Sequence, residues 1–150
     1  MVRKTPSLCG FVLVTALAGC ATGSSDPAQT PSVQAMQLEE APDPTTADGI
    51  FTLAQAERGE ALYDGVCVEC HDTSDWTDVG FKGRWEDQSV FQLWYYINDR
   101  MPYEDPFSLT RQQVTDALTY ILSLNGLPSG EDELATDDDS IDDYWIEWLP

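Results

Sequence analysis

Cys67, Cys70 and His71 stand within five positions of one another in the segment GVCVECHD. Two thiols and an imidazole at this spacing suit a metal site, a disulfide or the attachment of a cofactor. A structural zinc site needs four Cys or His ligands, and this segment provides three. A thioredoxin-like disulfide belongs to a βαβ setting, and no strand-like alternation precedes the motif. Both of these interpretations are therefore disfavoured, although neither is eliminated.

The motif C-x-x-C-H is typical of covalent haem attachment. The two thiols add to the haem vinyl groups, and the adjacent His reaches the iron from the same side. We therefore expect one covalently bound haem c, with Cys67 and Cys70 as its thioether residues and His71 as an axial ligand of the iron. Such a haem would also fill the core that a few short helices cannot enclose alone.

The second face of the iron needs either another ligand or a vacant position. His71 is the only His of the chain, and Met101 is the only Met downstream of it, in INDRMPYEDP. A Met that fills a gap in the core is the alternative, but we predict that Met101 is the second axial ligand. With both positions taken, the iron can change oxidation state but cannot easily bind a substrate, which predicts an electron-transfer protein and not an enzyme. If Met101 does not bind iron, a catalytic or sensor haem protein is the alternative.

Residues 1–19 predict a lipoprotein signal peptide. Arg3 and Lys4 precede the apolar run LCGFVLVTALA, which is too short to span a bilayer as a stable helix. LAGC resembles the lipobox of bacterial lipoproteins, in which the Cys becomes the first mature residue and carries lipid. An ordinary signal with a chance Cys is the alternative. We expect a protein on the periplasmic side of a bacterial membrane, lipid-anchored through Cys20.

The chain is strongly acidic, with 27 Asp and Glu against seven Lys and Arg. Removal of residues 1–19 takes away Arg3 and Lys4 but no acid, and it leaves five basic against 27 acidic residues, a net charge of −22. Nucleic-acid recognition depends on cationic side chains, so no nucleic-acid partner is expected. Residues 20–50 are rich in Pro, Ser, Thr and acids and predict a lipid-anchored flexible linker.

Apolar periodicity predicts an all-α domain over residues 51–129, a small fold of three to five helices around one haem. Thr52 and Gln55 have the spacing of a capping box before a helix that runs into the cysteine cluster. A second helix is predicted from Ser89 to Asn98. Thr110 and Gln113 form a second capping-box pair before the clearest apolar stripe.

Residues 130–150 form an acidic tail with a possible short amphipathic helix. Ile141, Tyr144, Trp145 and Trp148 fall at helical spacing there. This helix would either cover the domain's own surface or dock on a partner.

In this order of motifs, residues 51–128 resemble a class I cytochrome c. The resemblance rests on CVECH, on the preceding helix with Gly59 and Tyr63, on the RMP loop and on Tyr120 in LTYILSLNG. It implies that Gly59 permits a close crossing of the first and last helices, with Tyr63 and Tyr120 packing at that crossing.

A narrower resemblance covers GRWEDQSVFQLWYYINDRMPYEDPFSL and the LTYILSLNGLPSGEDEL that follows it. This block is similar to small cytochromes c that serve periplasmic quinoprotein and alcohol dehydrogenases, although those proteins usually have Gly where this chain has Phe107. The resemblance implies a one-electron carrier between such a dehydrogenase and the respiratory chain, with an oxidase or another cytochrome as acceptor. The same outline also resembles haem subunits of sulfur-oxidising complexes.

Aromatic residues between the cysteine motif and the RMP loop are candidates for the dry surroundings of a haem: Phe81, Trp85, Phe91 and Trp94. Among them, the segment FKGRW also places Lys82 and Arg84 beside Trp85. These cations would either pair with the haem propionates or remain solvated loop charges.

Overall fold

The computed structural model describes residues 42–150, which lie within one compact unit, Glu39–Pro150. The predicted signal peptide, Cys20 and most of the predicted 20–50 linker lie outside the described residues. The expected all-α class is confirmed, since the described part contains helices and two isolated bridges but no β-strand. Its α-helices are α1 Leu53–Gly65, α2 Val79–Trp85, α3 Val90–Arg100, α4 Arg111–Leu124 and α5 Asp138–Asp142. No helix within residues 42–150 combines the length and the apolar character needed to cross a bilayer.

Helix α1 crosses α4 at very close range, as the resemblance implied. A Cβ atom placed on Gly59 would lie 1.9 Å from the backbone carbonyl oxygen of Asp116. Further along the crossing, the rings of Tyr63 and Tyr120 pack with their centroids 5.4 Å apart. The absence of a side chain at Gly59 therefore lets the two backbones touch.

The start of α1 follows the predicted capping box only in part. The Thr52 hydroxyl accepts a hydrogen bond from the backbone amide of Gln55, as expected. The Gln55 side chain does not return to Thr52. It is fully buried, donates to the carbonyl oxygen of Leu134 and accepts from the Leu134 amide, at 2.9 Å each. The segment after α4 is thereby fixed to α1.

Helices α3 and α4 begin where the sequence predicts them. Thr110 and Gln113 form the complete capping box at α4. Trp94 of α3 is buried and donates its indole N–H to the hydroxyl of Thr115 on α4 at 2.9 Å. This bond joins the two helices inside the core.

Helix α2 was not predicted from the sequence. It has only seven residues, two of them the glycines Gly80 and Gly83, which weaken the helical pattern. The Asp78 carboxylate begins it by accepting from the Phe81 amide at 2.7 Å. The Asp78 cap is therefore the sequence signal for α2, because apolar periodicity does not indicate this helix.

The C-terminal segment covers the domain's own surface. Its helix is α5, Asp138–Asp142, and the residues from Tyr144 onward are not helical, so the helical spacing there was misleading. The Val90 amide donates to the Tyr144 carbonyl oxygen, and the Ile146 amide donates to that of Gln88, at 2.9 and 2.8 Å. These backbone bonds to the start of α3 hold the tail straight.

The packed domain begins before residue 51. Thr46 is fully buried, and its hydroxyl accepts from the Glu147 amide and donates to the Glu147 carbonyl oxygen. The last residues of the predicted 20–50 linker, from Thr45, therefore belong to the fold.

Candidate functional site

A cavity of about 380 Å³ brings together the four residues predicted to hold the haem. Cys67, Cys70, His71 and Met101 all line it. Side chains of α1, α3, α4 and two loops complete the wall, and they are almost wholly apolar or aromatic: Tyr63, Val66, Trp76, Ile97, Pro102, Tyr103, Leu109, Ala117 and Ile121. The cavity is thus an apolar slot with sulfur and imidazole groups on its surface.

The cysteines sit on a tight turn directly after α1. The amides of Cys70 and His71 both donate to the carbonyl oxygen of Cys67, at 3.1 and 3.0 Å. Cys67 is partly buried and Cys70 is exposed. The turn presents both sulfur atoms to one cavity, as attachment to one cofactor edge requires.

His71 is held from three directions. The Tyr63 hydroxyl donates to the His71 carbonyl oxygen at 2.8 Å, and the imidazole lies 4.6 Å from the Trp76 ring between centroids. Its Nδ1 atom lies 3.4 Å from a carboxylate oxygen of Asp75. Because that nitrogen has an acidic neighbour, Nε2 is the one available to bind a metal ion.

Met101 stands at the point where α3 ends. Its amide donates to the Ile97 carbonyl oxygen at 2.9 Å, and its own backbone is extended. The side chain is partly buried and packs against the core. The helix thereby fixes one end of the loop that follows, so the thioether has a defined position on the cavity wall.

The residues present fit a haem. An apolar slot lined by two Cys, one His and one Met side chain suits a flat, largely apolar macrocycle with iron at its centre. Within residues 42–150, no group of three or more His, Cys, Asp or Glu side chains is arranged to hold a bare metal ion. Trp76 also has a buried indole nitrogen without a hydrogen-bond partner in the structure. A haem carboxylate is an acceptor of the kind that this nitrogen lacks.

A second cavity of about 280 Å³ adjoins the first and shares Trp76, Ile97 and Met101 with it. Arg84 and Trp85 line this second cavity. The Arg84 guanidinium lies over the Trp85 and Tyr96 rings, 5.2 and 4.9 Å from their centroids. Lys82 lies elsewhere, with its ammonium 5.8 Å from the Trp148 ring. Of the two cations in FKGRW, only Arg84 lines this adjoining cavity, so it is the one that would pair with a haem propionate.

The aromatic residues expected around the haem are only partly near the cavity of the cysteines. None of Phe81, Trp85, Phe91 and Trp94 lines the cavity of the cysteines, although Phe81 and Trp85 line the adjoining one. The aromatic walls are instead Tyr63, Trp76 and Tyr103. Tyr63 lies one helical turn before Cys67, and Trp76 lies one short helix after His71. Because Tyr63 and Trp76 are close to the cysteine motif in sequence, they could have been predicted as part of the cavity wall.

Residues 54–121 match a family model described as cytochrome C oxidase, cbb3-type, subunit III. The matched segment runs from α1 into α4 and contains all four predicted haem residues. The match supports a c-type cytochrome domain of the class I kind. Its cofactor is haem c, bound covalently. No curated protein and no solved structure matched the chain.

Haem iron supplies one-electron chemistry, because it alternates between a ferric and a ferrous state. The chain's own residues would surround it with an apolar wall, and the Tyr63 hydroxyl holds the backbone of His71 in place. The match therefore supports a haem-based electron carrier.

Proposed function

We propose that the protein is a monohaem c-type cytochrome that carries single electrons from a periplasmic dehydrogenase to the respiratory chain. The observation that carries this proposal is the convergence of Cys67, Cys70, His71 and Met101 on one apolar cavity. In our assignment the two Cys form the thioethers, and His71 and Met101 are the axial ligands. An iron with both axial positions filled exchanges electrons without binding a substrate.

The direction of electron flow rests on similarity. The block from Gly83 to Leu134 resembles small cytochromes that accept electrons for periplasmic dehydrogenases. The matched family is named for a subunit of a cytochrome oxidase, which supports the respiratory chain as the acceptor side. Its partners are therefore redox proteins: a dehydrogenase as donor and an oxidase or cytochrome as acceptor.

Titration of the reduced protein with carbon monoxide tests the proposal. With His71 and Met101 on the iron, the spectrum is that of a low-spin c-type haem and changes little as carbon monoxide is added. An immediate shift at low carbon monoxide concentration would show an open position and would favour a catalytic or sensor haem protein.

We further propose that the protein is held at the periplasmic side of a bacterial membrane by lipid on Cys20, with residues 21–41 as part of the tether. A single acyl chain binds membranes only marginally, whereas two or three hold firmly. Replacement Cys20→Ser should therefore move the haem protein from the membrane to the soluble fraction or leave it unprocessed. A mature wild-type protein whose mass includes no lipid would contradict the anchor.

A further inference from the structure

Phe107 occupies a backbone conformation that suits glycine. Its φ angle is +65°. It is the third residue of a turn closed by the hydrogen bond from the Ser108 amide to the Asp105 carbonyl oxygen, at 3.3 Å. Pro106 occupies the second position, and this pattern is typical of a type II turn, which favours Gly at the third position. A bulky aromatic residue in the left-handed region is strained.

The Phe107 ring provides no packing that would offset this strain. It is 62% exposed, and it belongs neither to the described core nor to its partly buried fringe. Strain that persists without a packing reason points to a role outside the fold. The exposed ring is therefore a candidate for contact with another molecule.

The turn lies in the loop that closes the haem cavity. Pro102, Tyr103 and Leu109 of this loop line the cavity. Val68, between the two cysteines, is 53% exposed. Apolar side chains thus face solvent on both segments that border the cofactor. Such exposure at a redox site marks a contact surface.

Acidic side chains flank these apolar groups. Glu104 and Asp105 precede Phe107 in the loop, and Glu69 follows Val68; all three are exposed. No basic residue occurs between Met101 and Thr110. A partner surface complementary to this one would carry an apolar centre ringed by Lys or Arg.

We propose that Phe107 is a docking anchor for a redox partner whose electron-transfer surface is apolar and ringed by basic side chains. This inference rests on the proposed function, since it concerns the partner of the same haem. The ring would insert at the centre of the contact and bring the loop of Met101 against the partner. The strained turn would hold the ring outward in the free protein, so that little reorganisation accompanies docking.

Electron-transfer rates of three variants test this anchor. The probe is a lysine-ringed c-type cytochrome in its oxidised form, mixed with the reduced protein in a stopped-flow instrument at low ionic strength. Ferricyanide serves as a small oxidant that needs no protein docking. Phe107→Ala should slow the reaction with the cytochrome by roughly five- to tenfold, the usual loss for a central contact, and leave the ferricyanide rate unchanged. Phe107→Trp should retain most of the rate.

Phe107→Gly separates docking from folding. It should slow the cytochrome reaction as much as Phe107→Ala, yet raise the melting temperature because the backbone strain is relieved. Leu53→Ala is the matched control: Leu53 is 59% exposed, does not line the cavity, and its removal should leave both rates unchanged.

A Phe107→Ala protein that reacts with the cytochrome at the wild-type rate would overturn the anchor while leaving the carrier function intact. A wild-type rate that does not fall as salt is added would overturn the basic character of the partner surface. A haem that ferricyanide cannot oxidise would overturn the carrier function and this inference with it.

Discussion

The hydroxyl of Tyr63 donates a 2.8 Å hydrogen bond to the backbone carbonyl oxygen of His71. Tyr63 also packs on Tyr120 of α4, so the crossing of α1 and α4 is connected directly to the predicted iron ligand. Burial raises the pKa of Tyr63, and the hydroxyl therefore remains a proton donor throughout the neutral range. The helix crossing thus positions the haem-binding turn.

Replacement Tyr63→Phe should lower the free energy of unfolding by about 1–2 kcal/mol, because the His71 carbonyl oxygen loses its donor while the ring packing remains. Chemical denaturation of the haem-loaded protein measures this change. Tyr120→Phe is the control, since Tyr120 makes no hydrogen bond to His71 in the structure. If the two substitutions lowered the free energy of unfolding equally, the hydrogen bond to His71 would not be the cause of the loss in Tyr63→Phe.

Replacement Gly59→Ala should destabilise the protein severely, by about 3 kcal/mol or more, because the new methyl group would meet the Asp116 carbonyl oxygen. Gly65→Ala, at the end of the same helix, is the matched control, because a Cβ atom there meets nothing within 4 Å. We expect Gly65→Ala to be nearly neutral. Thermal melts of both variants decide the matter, and similar melting temperatures would contradict the close crossing.

Much of the fold could be predicted because local rules and tertiary packing agree there. Thr52 and Thr110 cap helices whose apolar faces are buried, and Gly59 lies where two backbones touch. The tail shows the opposite case. Tyr144 and Trp145 have helical spacing with Ile141, but their backbone bonds are to Val90 and Pro44, and neither residue is helical. Such distant partners leave no periodic trace in the sequence.

Four residues that line one cavity could be predicted from the sequence, because the motif fixes the spacing of Cys67, Cys70 and His71 and because Met101 is the only Met downstream of them. The aromatic walls were not predicted, since composition does not say which of several aromatic residues faces the cavity. The unusual backbone of Phe107 could be predicted only in part. The resemblance shows where Gly is usual, but only the φ angle shows that this chain keeps the strained backbone.

The ion pairs of Arg58 predict a stability change in acid. Arg58 bonds Asp116 through two nitrogens, at 3.0 Å each, and Glu133 likewise, at 2.8 and 3.0 Å. Hydrogen bonds from Arg58 lower the pKa of Glu133 below its ordinary value of 4.5. A lowered folded-state pKa stabilises the fold fully above that ordinary value, and the effect is lost as pH falls through the folded-state pKa.

The melting temperature of wild type should therefore exceed that of Glu133→Gln by a constant, small amount above about pH 4.5, and the gap should close at lower pH. Glu131→Gln controls for the general loss of one acidic charge from the same segment. A gap that is independent of pH, or one that is equal for both variants, would contradict the role of the Glu133 carboxylate.

Replacement Met101→Ala should open the sixth position of the iron while the haem stays covalently attached to Cys67 and Cys70. The oxidised spectrum should shift toward a high-spin form, the reduced protein should bind carbon monoxide readily, and the reduction potential should fall because the thioether favours ferrous iron. Met36→Ala, outside the matched segment, is the control. An unchanged spectrum and potential in Met101→Ala would show that another group occupies the position.

Replacement Arg84→Gln should lower the reduction potential of the haem. Arg84 lines the cavity that adjoins the haem cavity, and a positive charge there disfavours ferric iron and stabilises an ionised propionate. Its loss should therefore lower the potential by on the order of tens of millivolts. It should also raise the propionate pKa, and the potential would then depend more steeply on pH. Lys82→Gln removes the same charge from the same helix, but Lys82 lines neither cavity. Potentiometric titrations of both variants across pH would separate the two positions: a shift confined to Arg84→Gln places Arg84 at the propionates, whereas equal shifts would mean that only the overall charge of α2 is felt at the iron.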